Sequence, residues 1–187
     1  AVRLTNGENE ILVANSNGRA IRFNESTVRN MGRNATGVRA ITLDDDGQDH
    51  VVGMIAIENP EEETVMIVSE YGYGKRSDVE DYRITNRGGK GVKTIQITEK
   101  TGKLISIQSV TNDNDLMIIN KSGITLRLDV STIRVMGRAT QGVRLINLEK
   151  RGDQIASICK VNSEEPEEAS EVENNENQQV TTENSDA

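Results

Sequence analysis

Six glycines at fixed spacing divide most of this chain into three copies of one unit. Gly18 and Gly37, Gly72 and Gly91, and Gly123 and Gly142 stand nineteen residues apart in each pair. A short apolar run precedes the first glycine of each pair: Ile11–Ala14, Val65–Val68 and Leu116–Ile119. One phrase opens on the second glycine: Gly37-Val-Arg-Ala-Ile-Thr-Leu43, Gly91-Val-Lys-Thr-Ile-Gln-Ile97 and Gly142-Val-Arg-Leu-Ile-Asn-Leu148. A turn and a further apolar run close each unit, at Val51–Ile57, Leu104–Val110 and Ile155–Val161. A period of about fifty residues marks a repeat architecture whose units stack to bury a shared core.

Each unit reads as β structure. The phrase after the second glycine alternates apolar and polar residues, which suits a half-buried strand. The first run is continuously apolar, which suits a strand buried on both faces. No window holds an apolar stripe at the helical period, and Ser131–Met136 is the one place where a single turn is expected. About four strands per unit predict an all-β, propeller-like fold with blades at 6–58, 59–111 and 112–161. Three blades are few for a closed ring. Ala1 in place of an initiator Met also predicts a piece of a longer domain, with Ala1–Thr5 as the last strand of an earlier blade.

The basic residues keep register with the repeat. Four residues after each first glycine stands an arginine: Arg22, Arg76 and Arg127. Further positions hold Arg29, Arg83 and Arg134, then Arg33, Arg87 and Arg138, then Arg39, Lys93 and Arg144. Duplication can carry a solvated surface arginine from copy to copy, where its stem covers apolar surface. That explanation serves one position more easily than four. Arginine pairs bidentately with phosphate through a planar fork of donors. In a ring of blades, repeated positions form a stripe, and the expectation is a polyanion-binding stripe around the outer rim.

Glycine-rich loops accompany the stripe: Met31-Gly-Arg-Asn-Ala-Thr-Gly37, Arg87-Gly-Gly-Lys-Gly91 and Met136-Gly-Arg-Ala-Thr-Gln-Gly142. They let main-chain N–H groups approach phosphates beside a cation, which adds Lys90 to the candidates. The Gly-x4-Gly spacing of Gly32–Gly37 and Gly137–Gly142 is not a nucleotide P-loop, because Val38 and Val143 stand where the lysine must be. Tyr71-Gly-Tyr-Gly-Lys-Arg76 reads as a mobile basic hairpin that adds Lys75 and Arg76, its tyrosines packing rather than stacking on bases.

Total charge opposes this reading until it is partitioned. The 187 residues carry 22 Lys+Arg against 30 Asp+Glu. Nine of the acids and none of the bases lie in residues 162–187, leaving the body near neutral. That tail is rich in Glu, Asn, Gln and Ser and is expected to be disordered. Two readings of it are open: a solubilising tail, or a tethered competitor for the basic rim.

Other classes are poorly supplied. One cysteine, Cys159, and one histidine, His50, give no Cys-cluster or paired-His metal site and no nucleophile–base constellation. No apolar run approaches the ~20 residues of a membrane span. Asp44-Asp-Asp46 with Asp49, and Glu61-Glu-Glu63, read as solvated turns.

The repeated strings resemble the C-terminal domain of the A subunit of bacterial DNA gyrase. The resemblance rests on Gly18-Arg-Ala-Ile-Arg-Phe23, Met31-Gly-Arg33, Tyr71-Gly-Tyr-Gly-Lys-Arg76, Lys90-Gly-Val92, and Val135-Met-Gly-Arg138 through Gln141-Gly-Val143. It implies a β-pinwheel whose blades exchange strands and whose rim binds and bends duplex DNA. It also implies partners in the remainder of the gyrase A protein and in the gyrase B protein of an A2B2 enzyme, and a cytoplasmic, nucleoid-associated location. ATP and Mg2+ would be used by other parts of that enzyme, with no cofactor, metal or catalytic residue here. The family's box Gln-Arg-Arg-Gly-Gly-Lys-Gly is matched at five of seven positions by Thr85-Asn86-Arg-Gly-Gly-Lys-Gly91, which reads as a repeat-related copy of a box lying upstream. The alternatives are the corresponding domain of topoisomerase IV and a propeller that binds protein, the latter expected to carry an apolar or mixed-charge rim.

Overall fold

The computed structural model describes residues 1–148 and 152–162. They form three antiparallel sheets, one per repeat, and no helix longer than one 3-10 turn. In the first repeat β1 (Glu10–Asn15), β2 (Arg19–Asn24) and β3 (Val51–Ile57) pair in the order β3-β1-β2. In the second, β4 (Thr64–Ser69) lies between β5 (Tyr73–Asp78) and β7 (Leu104–Val110). In the third, β8 (Asn114–Asn120) lies between β9 (Thr125–Asp129) and β11 (Ile155–Asn162). The first two sheets gain a fourth strand from the repeat that follows. The two-residue β6 (Val92–Lys93) pairs with β2, and β10 (Val143–Arg144) pairs with β5.

Alternation splits the central strand of the second sheet between two cores. Val65 and Ile67 of β4 face the first sheet, in a cluster with Leu12, Ala14, Ile55, Ile95 and Tyr82. Met66 and Val68 face the third sheet, with Leu116, Ile118, Val130 and Ile155. A strand buried on both faces must be apolar at nearly every position, and β4 is buried throughout.

The structure corrects several expectations. The alternating phrases are not full strands: only Val92–Lys93 and Val143–Arg144 are paired, and each joins the sheet of the preceding repeat. Residues 37–43 form no strand, and none of the described sheets pairs with them. Ala1–Thr5 also form no strand, and Val2 and Leu4 are exposed. The strands that follow the first glycine turn, β2, β5 and β9, carry polar residues that hid them from the apolar pattern. The expected turn near Ser131 is a 3-10 turn at Val130–Thr132. Asn162, assigned to the tail, ends β11, and the rest of the tail lies outside the described residues.

The acidic turn has a structural task. The Asp49 carboxylate accepts from Asn15 Nδ2 at 2.6 Å, Ser16 Oγ at 3.1 Å and the Asp44 N–H at 2.9 Å, which braces the β1–β2 turn. Among the described residues no group of three or more His, Cys, Asp or Glu side chains is arranged to hold a metal, and no helix is long and apolar enough to cross a membrane.

Candidate nucleic-acid interface

The long loops that carry the cations are clamped from repeat to repeat. A 3-10 turn at Glu25–Thr27, Val79–Asp81 or Val130–Thr132 ends the second strand of each unit and launches the loop. Asn24 and Asp129 cap the first and third of these turns by accepting from Ser26 N and Ser131 N. The loop then crosses to the preceding repeat. Thr85 N donates to Arg22 O at 2.8 Å, and Met136 N donates to Arg76 O at 2.8 Å. Thr94 N and Leu145 N donate to Gly18 O and Gly72 O, each at 2.8 Å. Thr42 N donates to Gly89 O, and its counterpart Gln96 N to Thr140 O.

Glycine is required where the loop docks. Gly91 and Gly142 take φ of +71° and +84°, and an added Cβ would lie 2.4 Å from Ala20 O and 2.6 Å from Gly74 O. Side chains at these positions would hold β6 and β10 off their sheets.

Two of the three arginines at the first repeated position are not on the rim. Arg22 is 3% exposed and spans two sheets. Its Nε donates to Glu10 at 2.6 Å, Nη1 to the carbonyls of Val79 at 2.9 Å and Tyr82 at 3.0 Å, and Nη2 to Glu80 at 3.0 Å. Arg76, 4% exposed, repeats the device through Thr64 Oγ1, Val130 O and Asn112 Oδ1. Both belong to the packing between blades, and the reading of them as DNA ligands is corrected. A signal was present in the sequence. Each has a hydrogen-bond acceptor twelve residues earlier on the partner strand, and Arg22 is flanked by Ile21 and Phe23. Arg127, the third member, pairs with Asp115 at 2.5 Å and is about half exposed.

Lys75 is likewise withdrawn from solvent. Its Nζ donates to Gly137 O at 2.6 Å, and burial pushes its pKa down to about 8. The segment expected to be a mobile basic hairpin is therefore the turn into a buried strand, with Tyr73 packed as expected.

Of the remaining candidates the structure brings together Arg39 with Arg87, Lys93 with Arg138, and Arg83 with Lys90. Arg29, Arg33, Arg39, Arg83, Lys90, Lys93 and Arg134 are exposed, and Arg87 and Arg138 are half-buried. None of these nine forms an ion pair within 4.0 Å among the described residues. Arg87 Nη1 reaches back to Arg39 O at 3.4 Å, while its Nε donates to Thr27 O at 3.3 Å. Arg138 Nη1 reaches Lys93 O at 2.8 Å. Arg87 and Arg138 are equivalent in the repeat, as are Arg39 and Lys93. The third cation of one repeat therefore rests on the fourth cation of the repeat before it, twice. Arg144 stacks over Tyr73 at 5.5 Å and donates to its hydroxyl at 2.9 Å. Beneath the loop of Arg83–Val92 lies a cleft of about 300 Å³, lined by Arg83, Asn86, Gly89, Lys90 and Gly91.

On this surface the Asp81 carboxylate accepts from the Arg138 N–H at 3.2 Å, but no carboxylate pairs with the side chain of any of the nine cations among the described residues, which favours a polyanion over a protein of mixed charge. Nothing in it resembles a nucleophile or an acid–base pair.

Proteins similar to this chain in sequence or in fold are known. The A subunit of DNA gyrase from Staphylococcus aureus (strain NCTC 8325 / PS 47) is 47% identical over 184 residues, 97% of this chain and 20% of that protein. The chain thus spans about a fifth of the length of the curated relatives it matches. A crystal structure of the C-terminal domain of DNA topoisomerase IV superposes with a TM-score of 0.80 at 22% identity, over 87% of this chain and 50% of that one. A structure of the DNA gyrase A C-terminal domain gives 0.74 at 24% identity, over 83% and 52%. At such identities the structural likeness shows the fold alone. The family model described as "DNA gyrase C-terminal domain, beta-propeller" matches residues 9–58, 63–111 and 114–161, one match per repeat, and the chain belongs to that family.

Proposed function

We propose that this chain binds duplex DNA along its repeated basic loops and bends it around the rim, in the service of a DNA gyrase. The observation that carries the reading is the pairing of cations at successive blade boundaries, Arg87 on Arg39 and Arg138 on Lys93. A phosphate backbone passing the rim meets the same charged step at each blade. Phosphate contacts position DNA without reading its bases, so binding is indifferent to sequence. Bending a 20–30 bp site costs about 1–6 kcal/mol, offset by the additional phosphates that the arc brings against the rim.

The family and the 47% identity to a gyrase relative support gyrase over topoisomerase IV. On this reading the partners are the remainder of the gyrase A protein and the gyrase B protein, the compartment is the bacterial cytoplasm, and ATP is used elsewhere in the enzyme. The chain supplies DNA geometry and no chemistry of its own.

The test is a pair of variants, Arg87→Ala and Arg138→Ala, titrated against two short duplexes of unrelated sequence. Each variant is expected to lose affinity by the same factor on both duplexes. A loss confined to one sequence contradicts backbone binding.

A further inference from the structure

The junction between the second and third repeats holds a buried lysine. Lys75, on β5, is 0% exposed, and its Nζ donates to Gly137 O at 2.6 Å. The other two repeats place apolar side chains at the equivalent position, Ile21 and Leu126. An apolar residue enters such a site without the desolvation cost of an ammonium. Ile21 lies under the equivalent loop of the first junction, where a Cβ on Gly89 would meet its Cδ1 at 3.5 Å. Lys75 instead brings a charge to bear on one carbonyl.

That carbonyl belongs to the peptide that carries Arg138. The N–H of the same peptide donates to the Asp81 carboxylate at 3.2 Å. A trans peptide points its C=O and its N–H to opposite sides. Lys75 and Asp81 therefore grip it from opposite edges, the cation on the oxygen and the anion on the N–H, with the peptide dipole aligned between them. The two charges form no ion pair with each other within 4.0 Å. Gly137 supplies no restraint of its own, because glycine is conformationally permissive and a Cβ there would meet nothing within 4 Å. Thr140 N and Oγ1 also donate to Gly137 O, at 3.2 and 2.9 Å, but they belong to the loop itself. Lys75 and Asp81 come from the preceding repeat. At the first junction their equivalents are the uncharged Ile21 and Thr27, so the grip is made only beneath Arg138.

We propose that Lys75 and Asp81 are positioning residues for DNA binding: by holding both edges of the Gly137–Arg138 peptide, they fix the direction in which Arg138 presents its guanidinium to a phosphate. The proposal rests on the proposed function, in which Arg138 is a phosphate ligand. It gives a task to a buried cation that cannot reach DNA, and to an exposed carboxylate whose own charge opposes DNA.

The sign of the Asp81 effect separates this role from simple electrostatics. Removing a negative charge beside a bound polyanion raises affinity by charge alone. Asp81→Ala should instead lower the affinity of the 187-residue chain for a short duplex, by about threefold, within the roughly tenfold loss expected of Arg138→Ala. Lys75→Ile, which installs the residue of the first repeat, should lower it to a similar degree. Both losses should vanish in an Arg138→Ala background and persist in full in an Arg87→Ala background. A general loss of structure would act alike in the two backgrounds. The readout is fluorescence anisotropy at pH 7, below the value of about 8 to which burial pushes Lys75, so that the ammonium is charged. Asp81 is exposed, so its variants retain the fold and decide the matter alone if Lys75→Ile does not fold.

A rise in affinity on Asp81→Ala overturns the inference. So does a loss of equal size with and without the Arg138 side chain. If Arg138→Ala weakens binding while Asp81→Ala and Lys75→Ile leave it unchanged, this inference fails and the proposed function stands. If Arg138→Ala itself leaves affinity unchanged, both fail together.

Discussion

The Arg138 guanidinium donates to the backbone carbonyl of Lys93 at 2.8 Å, so the cation of one repeat is oriented by the main chain of another. The bond leaves other donors of the fork for a phosphate and fixes where they point. Arg138→Ala should lower DNA affinity about tenfold, as loss of one charged hydrogen bond of ~1.5 kcal/mol requires. The slope of log affinity against log salt should fall by about one. Arg138→Lys should keep that slope while losing the fork. Fluorescence anisotropy at several salt concentrations separates the two.

Arg22 and Arg76 should behave in the opposite way. Removing Arg22 leaves Glu10 without its cation and the carbonyls of Val79 and Tyr82 without a donor. Breaking a buried pair of this kind costs about 3–5 kcal/mol. Arg22→Ala and Arg76→Ala should therefore shift denaturant unfolding strongly, whereas Arg29→Ala and Arg134→Ala, on exposed loops, should change stability by about 0.5 kcal/mol or less. Equal effects across the four variants would contradict the division between packing and rim.

Gly142→Ala should cost about 2 kcal/mol or more, because its Cβ would lie 2.6 Å from Gly74 O in a left-handed backbone. Gly47→Ala carries only the backbone term, about 1 kcal/mol. Urea unfolding of the two variants measures the difference, which is the steric cost of lifting β10 off its sheet.

Lys75 makes stability depend on alkaline pH. Burial lowers its pKa from 10.5 to about 8, so between those values the unfolded chain binds more protons and folding becomes more favourable as pH rises. Tyr82 acts oppositely. Burial raises its pKa from 10.0 to about 12, so its contribution is full below pH 10 and is lost as pH rises toward 12. Stability should climb from about pH 8 to 10 and then fall. Lys75→Met should abolish the climb. Chemical unfolding at a series of pH values gives the profile.

The glycine spacing made the blades legible, because a left-handed turn residue leaves a fixed mark: Gly18, Gly37, Gly72, Gly91, Gly123 and Gly142 all have positive φ. The apolar runs became β1, β4 and β8 for the reason that made them conspicuous, burial on both faces. Strand exchange was not legible from spacing. A ladder belongs to two segments, and the alternation of Gly91–Ile97 is silent about which sheet receives it. The rim was only partly legible. Register identifies equivalent positions, but Arg22 and Arg29 are equally regular in sequence. They differ by whether a neighbouring blade offers carbonyls within reach of the guanidinium, which depends on packing between repeats.

The central claim is that the repeated exposed cations hold the DNA backbone. Its most direct test is the affinity of the chain for a short duplex as salt rises from about 50 to 200 mM. Neutralising ~6–10 phosphates predicts a fall of roughly 10³–10⁵ over that range, linear in log salt and the same for unrelated sequences. An affinity that stays flat across the titration would contradict it.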